Sequence, residues 1–383
     1  MKLNIKKILV LFFGLFLIFV VNGSVAIAQE KLPTEEATEN NQAKSFEQES
    51  FRAVVIQVIE ESVENNENYQ DLKFKGKNGS YKNKEIIYQG FTEKISSNQK
   101  LKKGDVVFLL ATKTNEGDII LIQDKSRLPA LFWVTLLFVM VTLAIGKMHG
   151  LRAIISLLAT FIVIIGFVVP RILAGAEPIT TVVLSSVVIV VASMVIVYGW
   201  TKKSKIAISG MLIGVLITAL ISKIFTEFAG LTGTAVEEVM FLRDYLDTNI
   251  NFSGLLLASF ILGSLGILDD IAITQTSTAQ EISETDKSLK PSQIYSKSMK
   301  IGVDHIASMI NTLFLAYAGA SFVLLLLFGL NQAPFDSFSD VINNELIATE
   351  IVRTLVGSIG LILTVPITTY IAAQVYGKKE KNS

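Results

Sequence analysis

The stretch Ser259 to Glu281, SFILGSLGILDDIAITQTSTAQE, decides how the chain is read. Its first half is an apolar run suited to crossing a bilayer, and Asp269 and Asp270 stand side by side near the expected inner end. A carboxylate inside a hydrocarbon span costs about 2.5–3.5 kcal/mol on insertion scales, so it implies a partner or a task. On a helical grid Ser259, Gly263, Gly266, Asp270, Thr274 and Ser277 share one face, with Asp269 about 100° round from Asp270. Small residues let another helix approach closely, which predicts that Asp270 faces protein or a water-filled cavity rather than lipid.

A second stretch, Gly302 to Ala320, carries Asp304, Ser308 and Asn311 on one face, with His305 and Thr312 beside it. Read as the cytoplasmic ends of antiparallel neighbours, the two helices bring Asp269, Asp270, Thr274, Gln275, Asp304, His305, Ser308 and Asn311 into one polar cluster. Further small-residue faces run through Gly210, Gly214, Thr218 and Ser222, and through Arg353, Gly357, Gly360, Thr364 and Thr368. Pro366 loosens the second of these helices and frees a backbone carbonyl.

Working outward, 51% of the 383 residues are hydrophobic and 18% charged, and the excess lies in long apolar runs, which places the chain in the membrane class. Formal net charge is zero, so no bulk field argues for nucleic acid. The absence of cysteine excludes disulfides, thiolate metal sites and a cysteine nucleophile, and His149 and His305 are too few for a histidine-rich metal centre. Seven spans are expected: 129–146, 151–169, 178–200, 206–225, 253–275, 305–328 and 347–376.

At the N-terminus, Lys2, Lys6 and Lys7, the apolar run Ile8 to Val21 and Ala26-Ile27-Ala28 read as a signal peptide over 1–28; an uncleaved anchor is the alternative. A polar linker (29–50) leads to a small β domain over 51–126, its strand-like runs separated by turns such as Gly76-Lys77-Asn78-Gly79 and Asn115-Glu116-Gly117-Asp118. Five short strands suit a closed, OB-like barrel, because closure removes exposed edges.

The expected fold is thus an α-helical membrane bundle of about seven transmembrane helices (129–376), preceded by an extracytoplasmic β-barrel-like domain and followed by a cytoplasmic tail (377–383). Lysines 147, 202, 203, 205, 287, 290, 297, 300, 378, 379 and 381 crowd the loops on one side, including 276–304, while the opposite loops carry only Arg171 and Arg243 as cations. This positive-inside pattern puts residues 29–128 outside. In one outer loop the capping box Thr234-x-x-Glu237 predicts an amphipathic helix. No internal repeat is evident in the residues.

Three nearby carboxylates and a histidine can exchange protons or hold a cation, which is the chemistry of a small-solute or ion permease. Against this stands hydrated carboxylates that merely fix helix depth, in an accessory or scaffold protein whose outer β domain binds a protein partner. An intramembrane aspartyl hydrolase is disfavoured because Gly266-Ile267-Leu268-Asp269 lacks a Gly-x-Gly-Asp pattern. No phosphate loop, nucleophile elbow or zincin motif is present, so no enzyme activity and no cofactor are expected; the residues leave a metal open. Expected partners are membrane lipid and, from the number of small-residue faces, a second copy of the chain.

The segments Gly266-Ile-Leu-Asp-Asp-Ile-Ala-Ile-Thr-Gln275, Gly302-Val-Asp-His-Ile-Ala-Ser308 and Asn311-Thr-Leu-Phe-Leu-Ala-Tyr-Ala-Gly-Ala320 resemble the YibE/F-like family of bacterial membrane proteins, as do Leu231-Thr-Gly233, Glu237-Glu238 and Gly254-Leu-Leu-Leu-Ala258. Val303 stands where members often have arginine. The resemblance implies a multi-pass protein of the bacterial plasma membrane with an extracytoplasmic portion, and supplies no substrate.

Overall fold

The computed structural model describes residues 48–64, 67–90, 100–114, 117–245, 250–329 and 337–377. The expected signal peptide, most of the linker and the tail from 378 lie outside these residues. The chain divides into two units, one up to Phe132 and one from Trp133 onward.

In the first unit, β1 (Gln48–Glu64), β2 (Glu67–Gly76), β3 (Glu85–Tyr88), β4 (Val106–Thr114) and β5 (Gly117–Lys125) pair antiparallel in the order β3-β2-β1-β4-β5. Period-two alternation sends Phe51, Ala53, Val55, Leu72, Phe74, Val107, Leu109 and Ala111 to one buried face. Tyr81 stacks on Phe51, 4.4 Å between ring centroids, and its hydroxyl donates to Asp118 on β5. Leu101 is tied over the same face: its carbonyl accepts from the Gln70 amide at 3.1 Å and its N–H donates to Gln70 at 2.8 Å. The expected closed barrel does not form; the sheet is open, with β3 and β5 as separate edges. Connections bearing Tyr81 and Leu101 cover the apolar face, so the edges need not meet to bury it.

The second unit is helical. Its helices are α1 (Leu128–Leu173), α2 (Pro178–Tyr198), α3 (Lys202–Phe228), α4 (Glu237–Tyr245), α5 (Phe252–Thr285), α6 (Pro291–Ala320), α7 (Phe322–Gly329), α8 (Phe338–Asn343) and α9 (Glu345–Tyr376). Six of them, α1, α2, α3, α5, α6 and α9, are long and apolar enough to cross a membrane. Six long helices stand where seven separate ones are expected, because the first two expected spans, 129–146 and 151–169, are joined in one 46-residue helical run. That run is bent: Lys147 has φ 47° and ψ −125°, and a Cβ on Gly150 would lie 2.3 Å from the Thr142 carbonyl oxygen. In a straight helix those residues would be about 12 Å apart along the axis.

Local chemistry sets the other boundaries. Glu177 accepts from the Ile179 and Thr180 N–H groups ahead of Pro178, and Thr201 and Ser204 form a reciprocal capping box. Asn251 caps α5 by accepting from the Gly254 N–H at 2.9 Å. The expected inner loop 276–304 is instead mostly helix: α5 runs past 275 to Thr285, and α6 begins at Pro291 rather than at 305. Ile206, Ala279, Ile294, Ala372 and Ala373 bury one another there, which holds this extension together. Between the two helices Asp286 accepts from the Ser288 hydroxyl and N–H, which keep its carboxyl below the usual range.

The centre of the bundle is the seam between α3 and α9. A Cβ on Gly210 would lie 2.1 Å from Thr368 Oγ1, one on Gly214 2.3 Å from Thr364 Oγ1, and one on Gly360 2.0 Å from Thr218 Oγ1. Each threonine therefore fills the gap left by a glycine, and the pairing order makes the helices antiparallel. Thr218 and Thr364 satisfy their hydroxyls on their own helices, at the carbonyls of Gly214 and Gly360. Exchanging the two helices about Gly214–Thr364 maps Gly210–Thr368 onto Gly360–Thr218, and aligned on that pair they bury nearly the same positions.

Gly214→Val is expected to destabilise the membrane unit by about 1–3 kcal/mol, the range for overpacking a close contact. Adding Thr364→Ala should recover most of that loss, read as the coupling in a double-mutant cycle of thermal unfolding in detergent. In the β unit, Lys100 (3.0 Å) and the Gln70 amide hold Glu61 below its usual pKa, and Lys73 (2.7 Å) does the same for Glu85. Lowered folded-state values mean that this stability is present above the unfolded values near ~4 and lost as pH falls through the folded ones. Strand-peptide hydrogen exchange, corrected for intrinsic rates, should show protection constant from pH 7 to about 5 and falling below ~4.

Candidate functional site

Helix α5 lies against the α3–α9 seam. The Thr369 hydroxyl donates to Gln275 Oε1 at 2.8 Å, and Arg353 Nη2 approaches Ser259 Oγ at 3.4 Å, so α5 and α9 run parallel with the same interval between the two contacts on each. Leu268 reaches Gly214, with its Cδ2 3.3 Å from the position of a Cβ there. Asp269 and Asp270 therefore sit level with the Gly214–Thr364 pair, in the middle of their helix. The expected place near an inner helix end gives way because α5 continues to Thr285.

The two carboxylates face different surroundings, and their roles reverse the sequence expectation. The face of α5 that packs is Ala258, Ile261, Leu265, Leu268, Ala272 and Gln275. Ser259, Gly263, Gly266 and Asp270, expected to be the packing face, form an uncovered strip instead. Asp269 is the more buried of the pair, and its Oδ1 is buried without a hydrogen-bond partner among the described residues.

Two cavities meet here. One of about 370 Å³ lies between α1, α2 and α5; Ser156, Thr160, Ser193, Tyr198 and Asp269 supply its polar groups. From Asp269 it runs along Gly266, Leu265 and Leu262, toward the N-terminal end of α5. The other, about 530 Å³, is lined by Lys203, Asp270, Thr274, Ser277, Thr278 and Glu281, and runs toward the C-terminal end. Tyr198 lines both.

Helix α6 contributes less than expected. Gly302 is its close-packing point, where a Cβ would lie 2.8 Å from Val365 and 3.0 Å from Gln275 Oε1. With about 100° per residue, Ile301, His305 and Ser308 follow the flank beside the Asp270 groove, which Ile301 lines. His305 is half-buried, its Nε2 enclosed without a partner among the described residues. Asp304 and Asn311 stand opposite the packed residues Gly302, Ile306 and Leu313 and are exposed, as is Ser308. The eight-residue cluster is thus not assembled: Asp269, Asp270 and Thr274 line cavities, Gln275 is a buried helix-to-helix contact, and Asp304 and Asn311 point away.

Sequence reasoning missed Tyr198, Lys203 and the hydroxyls of Ser156, Thr160 and Ser193. The i, i+4 spacing of Ser156 and Thr160, and Tyr198 closing a span before Lys202-Lys203, are signals that would have found some of them. A second charged group was read from the sequence only as part of a small-residue face. Arg353 pairs with Glu350 at 3.1 Å, stands over the Phe260 ring at 5.2 Å and leaves its Nε buried without a partner among the described residues. Among the described residues no three His, Cys, Asp or Glu side chains gather closely enough to hold a metal ion.

A family model described as YibE/F-like protein matches residues 134–378. No curated protein and no solved structure matches the chain.

Because Asp269 Oδ1 is buried without a hydrogen-bond partner among the described residues, Asp269→Asn, which removes the charge and keeps the shape, is expected to raise the midpoint of thermal unfolding in detergent. Asp270→Asn, at an exposed position, should leave thermal unfolding in detergent nearly unchanged.

Proposed function

The chain belongs to the YibE/F-like family, and from that premise we propose that it is a membrane permease for protons or small monovalent cations, with Asp269 and Asp270 as its relay. The observation that carries this reading is the pair of cavities meeting at those residues, one running toward each end of α5. We take the bend at Lys147 as dividing α1 into two crossings, so that the basic loops fall on the cytoplasmic side and the β unit outside. The cavity at Asp269 then faces outward and the groove at Asp270 inward. Asp269 lines one cavity and Asp270 the other, so the pair offers a carboxyl on each route for one proton or one cation. A carboxyl reached from each side lets that charge load on one and leave by the other. The antiparallel exchange of α3 and α9 about Gly214–Thr364 supports the class, since transporter sites lie at mid-depth between inverted elements.

The test is flux into vesicles reconstituted with the full chain, under an imposed pH or cation gradient. Wild type should exceed empty vesicles, and Asp269→Asn and Asp270→Asn should each lose at least about tenfold, as expected when a proton-transfer group is removed. Flux that survives both substitutions sinks the proposal.

A second reading has one observation in its favour. Among the described residues both edges of the β sheet are unpaired, and Ile87, Ile119 and Leu121 on the edge strands are exposed, which suits a scaffold whose outer unit binds a partner by strand addition. That reading gains if deletion of residues 51–126 abolishes the cellular phenotype while both aspartate variants keep it.

A further inference from the structure

Two of the six apolar helices are barely covered by the rest of the unit: 17% of the apolar window of α1 is buried and 11% of that of α6, against 39% to 50% for the other four. The two bare surfaces differ in chemistry. Away from the bend that carries Lys147, His149 and Arg152, α1 exposes mainly hydrocarbon, including Leu131, Leu137, Phe138 and Ile145, which lipid covers without cost. What α6 exposes includes Asp304, Ser308, Asn311 and Thr312. These residues lie in the body of the helix, between Gly302 at the Gln275 contact and Leu313 in the packed cluster with Ile271 and Leu361. Acyl chains offer no donor or acceptor to a carboxyl or an amide at that position.

We propose that this face of α6 is the contact with a second copy of the chain. A twofold contact sets the same patch against itself, so the patch must be self-complementary. The Ser308 hydroxyl and the Asn311 amide each carry both a donor and an acceptor, and so satisfy their own counterparts. Ala307 and Ala318, also exposed, keep the flanks slim enough for close approach. Val303, exposed beside Asp304, adds apolar surface and no competing charge. The interface stands on coverage and chemistry alone and does not depend on transport.

The chain contains no cysteine, so single cysteines report cleanly. Ser308→Cys and Asn311→Cys should give covalent dimers on oxidation in native membranes. Leu184→Cys on α2 and Leu216→Cys on α3, both exposed, are the controls and should not. Asn311→Leu should raise the dimer dissociation constant in detergent by about tenfold, and Asn311→Gln should restore it. Cross-linking at 308 and 311 no stronger than at the controls overturns the proposal. So does a single-chain mass for the unmodified protein in lipid nanodiscs, a measurement that requires no variant to fold. Rapid labelling of Ser308→Cys by a membrane-impermeant maleimide, with no dimer formed, would make the face a water-lined surface instead.

Discussion

Threonine against glycine across the α3–α9 seam is the contact on which the rest of the membrane unit depends. In lipid, helices gain little from hiding apolar side chains, so the gain comes from atoms in close contact and from satisfied polar groups. Gly210, Gly214 and Gly360 let the backbones approach, and Thr368, Thr364 and Thr218 fill the space so made. Because two of those hydroxyls return to their own helices, the seam holds polar atoms without leaving them stranded. Helix α5 can then lay its apolar face on the seam, and its contacts at Ser259 and Gln275 set its register against α9.

That register decides the chemistry. Since α5 commits Leu265, Leu268 and Ala272 to packing, its small-residue strip turns toward open space, and Asp269 and Asp270 straddle the boundary between the two. One carboxyl is enclosed and the other open, although the residues are neighbours. Asp269 Oδ1, His305 Nε2 and Arg353 Nε, each buried without a partner among the described residues, are groups that a unit built only for stability would pair or replace.

Much of the fold was legible beforehand. The apolar runs named the membrane helices, period-two alternation named all five strands, and turn residues placed most boundaries. The Gly210–Gly214–Thr218 and Gly360–Thr364–Thr368 faces were visible as four-residue steps, though not that they meet each other. Span ends were misjudged at 275 and 305 because the polar stretch there, read as loop, is mostly helical and buries Ala279 and Ile294 against Ile206 and Ala372. The barrel failed because Tyr81 and Leu101, remote in sequence from the strands they cover, do the work that closure would have done.

The candidate site divides along the same line. Sequence alone determined that the chain crosses membranes, that it carries carboxylates where hydrocarbon is expected, and that those on α5 lie on adjacent helical faces. These follow from composition and from the fixed angle per residue. Only the tertiary structure decided which face packs, that Asp269 is enclosed and Asp270 open, and that Asp304 and Asn311 point out of the unit. A helical wheel ranks faces but does not say which neighbour each will meet, and that choice is made by the closest fit among several helices at once.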